Sequence, residues 1–290
     1  MDMQMTIFSD TDFATAQNAF FDANAFKAFI QRYDPSFISV SLNRSYFKKI
    51  IATDERFVPI FFDHVEMLYV NKSHHRDLAE RYVLKAVDPF RFREINYENL
   101  GEDVLAPMFA EAAKMRDEDP ANYSANHILG MISIVRKQYD QAIFHAEVIL
   151  RNYPDLSHGY ALKGDALRNM DRYEEAASLY KKALEMGQTS RQENVYWNLH
   201  AVYVKLKEYK KAYKVLSKYV NPFNPNTDYK EIYQLGMSAA TVGKIREAVT
   251  FLKIAKLKVP STDAEYVEKI DKNLAITDNT PDVSDGLKEH

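Results

Sequence analysis

Residues 160–183 read YALKGDALRNMDRYEEAASLYKKA, and the order of small and apolar residues in this stretch decides the fold. Leu162, Ala166 and Leu167 recur at helical spacing, as do Ala176, Leu179, Tyr180, Ala183 and the following Leu184. Between the two runs, Asn169-Met170-Asp171-Arg172 forms a polar break. Gly164 and Ala176 carry no bulky side chain, so the two predicted helices can approach closely. One such pair has too little core to fold alone, and its remaining apolar face must be buried against neighbours.

Neighbours of the same kind lie on both sides. Tyr173-Glu174-Glu175-Ala176 has counterparts in Tyr139-Asp140-Gln141-Ala142, Tyr209-Lys210-Lys211-Ala212 and Ile245-Arg246-Glu247-Ala248. The four alanines stand 34, 36 and 36 residues apart. Gly130, Gly164, His200 and Gly236 precede them at one fixed distance, and Ile149, Ala183, Tyr219 and Ala255 follow at another. Over about residues 122–260 this pattern resembles the tetratricopeptide repeat, a helix–turn–helix unit with small residues where its helices touch. His200 departs from the usual small residue. The resemblance implies an all-α protein, a right-handed superhelical solenoid of antiparallel helix pairs.

Four repeats are expected over 121–262, with turns at 187–190 and 221–225 taking up the two extra residues of the longer units. Residues 1–120 are expected to be an irregular helical region. Within it, 55–88 and 89–120 read as degenerate repeats. Leu78, Ala79, Tyr82, Val83 and Ala86 would share one helical face, Gly101 would be a break and Val104–Met115 a second helix. A separate helical N-terminal domain is the alternative. Residues 263–276 read as a capping helix started by Thr262 or Asp263, with Tyr266, Ile270 and Leu274 inward. The polar segment 277–290 is expected to be a disordered tail.

Composition narrows the function classes. The chain of 290 residues is 46% hydrophobic and 27% charged, which fits a folded protein. It has no cysteine, so thiolate zinc sites and cysteine nucleophiles are excluded. Its N-terminus lacks the pattern of a signal peptide and no apolar run is long enough for a membrane span, so a cytoplasmic location is expected. The net charge of -3 makes no global case for nucleic acid. None of the eight histidines sits in a metal-binding spacing, and there is no phosphate-cradling glycine loop or nucleophile elbow. No catalytic residue, metal or cofactor is therefore expected.

The resemblance places a peptide-binding groove along the first helices of successive repeats. By position in the repeat it would expose His127 and Met131, then His158, Asp165, Arg168 and Asn169. Next would come Asn194, Trp197, Asn198 and Lys205, and finally Lys230, Tyr233, Gln234 and Met237. Amides suit a peptide backbone, and tryptophan and tyrosine dominate binding energy at interfaces. Trp197 could equally pack under the neighbouring unit. The Lys/Asn clamp with which some family members grip chaperone tails is not reproduced, since Met131 and Leu162 stand where asparagines would be needed. Lys205, Lys207, Lys210, Lys211, Lys214 and Lys218 form a run interrupted by Glu208 alone among acidic residues. It reads as a solvated outer face or as a patch for an acidic partner, and the lack of interleaved arginine argues against RNA.

The leading expectation is a non-enzymatic adaptor that binds a protein segment in the groove. A chaperone or assembly factor for a bacterial secretion or surface apparatus is an alternative. An enzyme or nucleotide-binding protein using the N-terminal region is another, from a different class.

Overall fold

The computed structural model describes residues 10–187 and 192–278 and divides the chain into two compact units, 1–153 and 154–290. The boundary falls inside the run of repeats, between the first helix pair and the second.

The first unit opens with α1 (Asp10–Ala19) and α2 (Ala23–Tyr33). Asp22 caps α2 by accepting the Ala25 N–H at 2.8 Å. There follow β1 (Phe37–Ser41), the short α3 (Phe47–Ile51), β2 (Phe57–Phe62), β3 (Glu66–Asn71) and α4 (Arg76–Tyr82). The strands form one antiparallel sheet in the order β1-β3-β2, with Phe37 opposite Val70 and Phe62 opposite Met67. The reading of 55–88 as a degenerate repeat is thereby corrected, because its first half is a β-hairpin and only α4 is helical. The hairpin turn is set by Asp63, whose Oδ1 accepts the N–H groups of Val65 and Glu66 at 2.6 and 2.7 Å. Helix α4 stops at Tyr82, so Val83 and Ala86 lie outside the helical face expected for them. Phe26, Phe47, Phe62, Met67 and Val70 are fully buried around this sheet.

Residues 89–120 hold two 3-10 turns (Phe92–Glu94 and Tyr97–Asn99) and one long helix, α5 (Glu102–Glu118), where a second degenerate helix pair was expected. The first regular pair follows as α6 (Tyr123–Val135) and α7 (Tyr139–Asn152). Helix α6 is tied to the hairpin. Asn122 Nδ2 donates to the Phe62 carbonyl at 2.9 Å, and the Ser124 hydroxyl donates to that of Asp63 at 2.6 Å. Asn126 Nδ2 donates to the carbonyls of Pro120 and Asn122 at 3.1 and 2.8 Å. Its Oδ1 must therefore be the acceptor facing His145 Nδ1 of α7, at 2.9 Å. His145 thus carries a proton on Nδ1, and burial, which lowers its pKa to about 4, keeps the ring neutral at pH 7.

The second unit is a stack of antiparallel helices: α8 (Ser157–Asn169), α9 (Tyr173–Met186), α10 (Gln192–Lys205), α11 (Tyr209–Tyr219), α12 (Tyr229–Thr241), α13 (Ile245–Lys258) and α14 (Ala264–Asp278). Each packs on the next. Gly164 lies against the Tyr180 ring so closely that an added Cβ would sit 2.9 Å from its Cε1. Ile270 is fully buried with Ile232, Leu252 and Ala255, and Tyr266 and Leu274 pack on this cluster. Asp263 Oδ1 accepts the Tyr266 N–H at 3.2 Å. Helix α14 extends to Asp278 and buries Thr277, so the polar tail cannot begin at 277. The remainder of the segment read as a tail lies outside the described residues, as does most of the turn at 187–190.

All four helix pairs turn in the same way. Lys137, Asp171, Lys207 and Gly243 occupy equivalent turn positions with φ of 58°, 59°, 59° and 79°. The next residue's N–H reaches back five residues each time: Gln138 to Ser133, Arg172 to Leu167, Glu208 to Tyr203 and Lys244 to Ala239, at 2.8–3.0 Å. These are Schellman turns, in which a left-handed residue lets the chain satisfy the last helical carbonyls. Glycine adopts that conformation without a Cβ clash. Lys207→Gly is accordingly expected to stabilise the second unit by about 0.5–1 kcal/mol. Urea unfolding checks this, and an unchanged or lowered midpoint would count against backbone strain at Lys207.

Candidate functional site

The sequence of α10 brings Trp197, Asn198, His200 and Ala201 to one wall of an open cleft in the second unit. The facing wall is Asp228, Lys230, Glu231 and Gln234, with Tyr266 of α14 beyond, and the cleft holds about 620 Å³. Trp197 is half-buried. Its Nε1–H donates to Glu231 Oε1 at 3.3 Å, and the Tyr196 hydroxyl donates to the same oxygen at 2.8 Å. The indole is further framed by Tyr196 and by His200, whose ring stands edge-on at 5.8 Å. Burial holds the His200 pKa below its ordinary value, so this wall presents a neutral imidazole at pH 7.

Asn198 also joins a polar network with α8 and α9. Asp165 Oδ1 accepts the Tyr180 hydroxyl at 2.6 Å and the Asn198 Nδ2–H at 2.8 Å. Arg168 Nη1 donates to Asn198 Oδ1 at 3.0 Å. Burial and the Asp165 carboxylate push the Tyr180 hydroxyl well above the usual phenol range, so it remains a donor. Asn198 therefore spends one N–H and one lone pair on fixing its neighbours. It positions Asp165 and Arg168 as much as it offers an amide to a ligand.

At the other end, the Lys230 ammonium lies 5.6 Å from the Tyr229 ring centre and 5.5 Å from that of Tyr266. Lys269 approaches the rings of Tyr233 and Tyr266 at 5.3 and 5.0 Å. Tyr229 donates to Asp263 Oδ2 at 2.5 Å, which together with burial raises its pKa to about 12.

Two residues expected in the groove are buried instead. His127 is stacked on Tyr123 at 5.9 Å and met edge-on by Phe92, from the first 3-10 turn. Tyr233 belongs to the core beneath α14, and its hydroxyl accepts the Asn273 Nδ2–H at 3.0 Å. Met131 is half-buried and, like His127, belongs to the first unit. In the second unit His158, Asp165, Arg168, Gln234 and Met237 are half-buried, while Asn169, Asn194, Lys205 and Lys230 are exposed. The reading of the sequence missed Glu231, Asp228 and Tyr266. Glu231 lies within the first helix of the fourth unit, one residue beyond Lys230, and could have been found as a carboxylate in reach of Trp197.

The six lysines from Lys205 to Lys218 are all exposed. Lys211 pairs with Glu208 at 2.8 Å. A second cleft of about 470 Å³ is lined by Lys207, Glu208, Tyr209, Lys210, Lys211, Thr241 and Val242. No helix among the described residues is long and apolar enough to cross a membrane.

The family model for the tetratricopeptide repeat matches residues 157–186, which are α8, its turn and α9. No curated protein matches the chain in sequence. Among solved structures, it is similar to YrrB, described as a TPR protein with an unusual peptide-binding site. The two are 19% identical over 57% of this chain and 81% of that one, with a TM-score of 0.48. MamA is 19% identical over 54% and 90% of the two chains, with a TM-score of 0.46. PilF of Pseudomonas aeruginosa is 16% identical over 64% and 89%, with a TM-score of 0.47. Residues 157–186, which form α8, its turn and α9, thus carry one tetratricopeptide repeat.

Proposed function

We propose that the chain is a non-enzymatic, cytoplasmic adaptor whose second unit binds an extended protein segment along the cleft lined by Trp197, Gln234 and Tyr266. The observation that carries this reading is Trp197: a broad indole, half-buried, held in place by Glu231 and set in an open cleft. A fixed aromatic surface costs little entropy on binding, and such residues anchor interfaces. The alternation of carboxylate, amide, imidazole and ammonium along the walls suits a segment of mixed polarity better than a purely apolar one.

Trp197 is the chain's single tryptophan, so its fluorescence reports on this cleft alone. Screening a random peptide library by display and titrating the selected peptides against that signal tests the proposal. Trp197→Ala is expected to weaken capture of the selected peptides, measured by calorimetry, by about 2 kcal/mol, or roughly 30-fold. Peptides that bind with no change in indole emission, and equally well to Trp197→Ala, would move the site elsewhere.

The exposed lysines of α11 favour a second reading, an acidic segment on the outer face. Reversing Lys210 and Lys214 to Glu separates the two. A cleft-bound peptide keeps its affinity, apart from a salt-sensitive change in association rate.

A further inference from the structure

The sheet of the first unit has two edges, and they are treated differently. The outer edge of β2 is closed: Pro59 has no N–H to offer, its carbonyl accepts the Leu84 N–H at 2.8 Å, and a register break lies between Pro59 and Phe61. The edge of β1 has none of these devices. Its sequence, Phe37-Ile38-Ser39-Val40-Ser41, contains no charge and no proline.

The register shows which backbone groups are free. Asn71 N–H donates to the Ser36 carbonyl and Leu42 N–H to that of Val65, both at 2.8 Å. In an antiparallel pair the bonded residues alternate, so Ser36, Ile38, Val40 and Leu42 face β3. Phe37, Ser39 and Ser41 turn their N–H and C=O groups outward. The Ser41 carbonyl is taken by the Arg44 N–H at 2.9 Å. The outward groups of Phe37 and Ser39 have no partner among the described residues, and both residues are exposed.

Beside this edge runs a groove of about 350 Å³, bounded by Ala16 and Gln17 of α1, by Phe20 just after that helix, and by Ser39, Val40, Ser41 and Arg44. Arg44 holds its guanidinium over the rings of Phe20 and Phe21, at 5.2 and 4.8 Å from their centres. No carboxylate among the described residues pairs with it. Arg44 is thus the one charged residue lining this groove, and its other lining residues are uncharged.

We infer that β1 is a strand-addition site: an extended segment of another protein pairs with the outward groups of Phe37 and Ser39, sets an apolar side chain against Phe20 and places an acidic side chain at Arg44. Backbone pairing supplies affinity in such additions, and the side chains beside the edge supply selectivity. The occupant is chosen by the charge of Arg44. This site belongs to the first unit and does not depend on the cleft at Trp197.

The probe is a fluorescein-labelled octapeptide of alternating threonine and valine with one central glutamate, followed by anisotropy. A second peptide carries N-methyl groups on alternate amides and so keeps the side chains while losing the pairing. The first is expected to bind at least tenfold more tightly than the second, with no change in Trp197 emission. Arg44→Glu is expected to weaken the glutamate peptide and to favour its lysine counterpart. Ser39→Pro is expected to abolish binding, and because that N–H faces outward the ladder to β3 keeps its bonds. The N-methyl comparison needs no change to the protein, so it holds even if Ser39→Pro misfolds. Equal binding of both peptides, or none at millimolar concentration, overturns the inference. So does a dimer in sedimentation that Arg44→Glu or Ser39→Pro dissolves, since the occupant would then be a second copy of the chain.

Discussion

Gly164→Leu is expected to cost the second unit about 3 kcal/mol, at the upper end of what overpacking a core costs. An added Cβ alone would lie 2.9 Å from Tyr180 Cε1 and 3.1 Å from its Cδ1. The ring cannot retreat cheaply, because Tyr180 is fully buried and its hydroxyl is bonded to Asp165 at 2.6 Å. A branched side chain must therefore part α8 from α9. Gly164→Ala is a different case: its smaller clash is set against a gain of about 1 kcal/mol in helix propensity. Chemical unfolding of the two variants side by side checks the argument. If leucine proved as well tolerated as alanine, the close approach of these helices would not be what glycine provides.

Lowering the pH from 6.5 to 4 is expected to remove on the order of 2–3 kcal/mol from the first unit through His145 alone. Burial, and then the nearby charge of Arg116, depress its pKa from 6.5 to about 4. The unfolded chain takes up the proton near pH 6.5, whereas the folded chain resists until about pH 4. The stability is complete above 6.5, declines as pH falls through that window and levels out below it. Nδ1 is already committed to Asn126, so the added proton must go to Nε2 of a buried ring. His145→Gln keeps a donor for Asn126 without a titrating group. Urea midpoints at pH 7, 5.5 and 4 are expected to fall steeply for the natural chain and less for the glutamine variant. Parallel slopes would exclude His145 as the source.

The helix pairs were legible because tight contacts leave small residues behind them, and Gly164, Ala176, Ala212 and Ala248 mark the contacts directly. The sheet was not legible. Pro59 inside Phe57–Phe62 argued against a strand, and the bulge beside it broke the alternation that a strand would show. Position within a repeat puts Trp197 and Gln234 on one surface, and both line the cleft. The same rule failed for His127, because the ring that covers it, Phe92, comes from a distant irregular segment. It failed for Tyr233 because α14 supplies Tyr266 and Lys269 over that position. Repeat position says which way a side chain leaves its helix. It does not say what a terminal helix or an inserted sheet will lay on top.

The four Schellman turns are held by main-chain bonds, and lysine, aspartate, lysine and glycine serve at one and the same position. Selection acting on these junctions has only a conformation to preserve, and several residues meet it. The turn therefore places little constraint on which residue stands there. A repeat of this kind can therefore keep its turn while its sequence departs from the family pattern, and only 157–186 matches the family model.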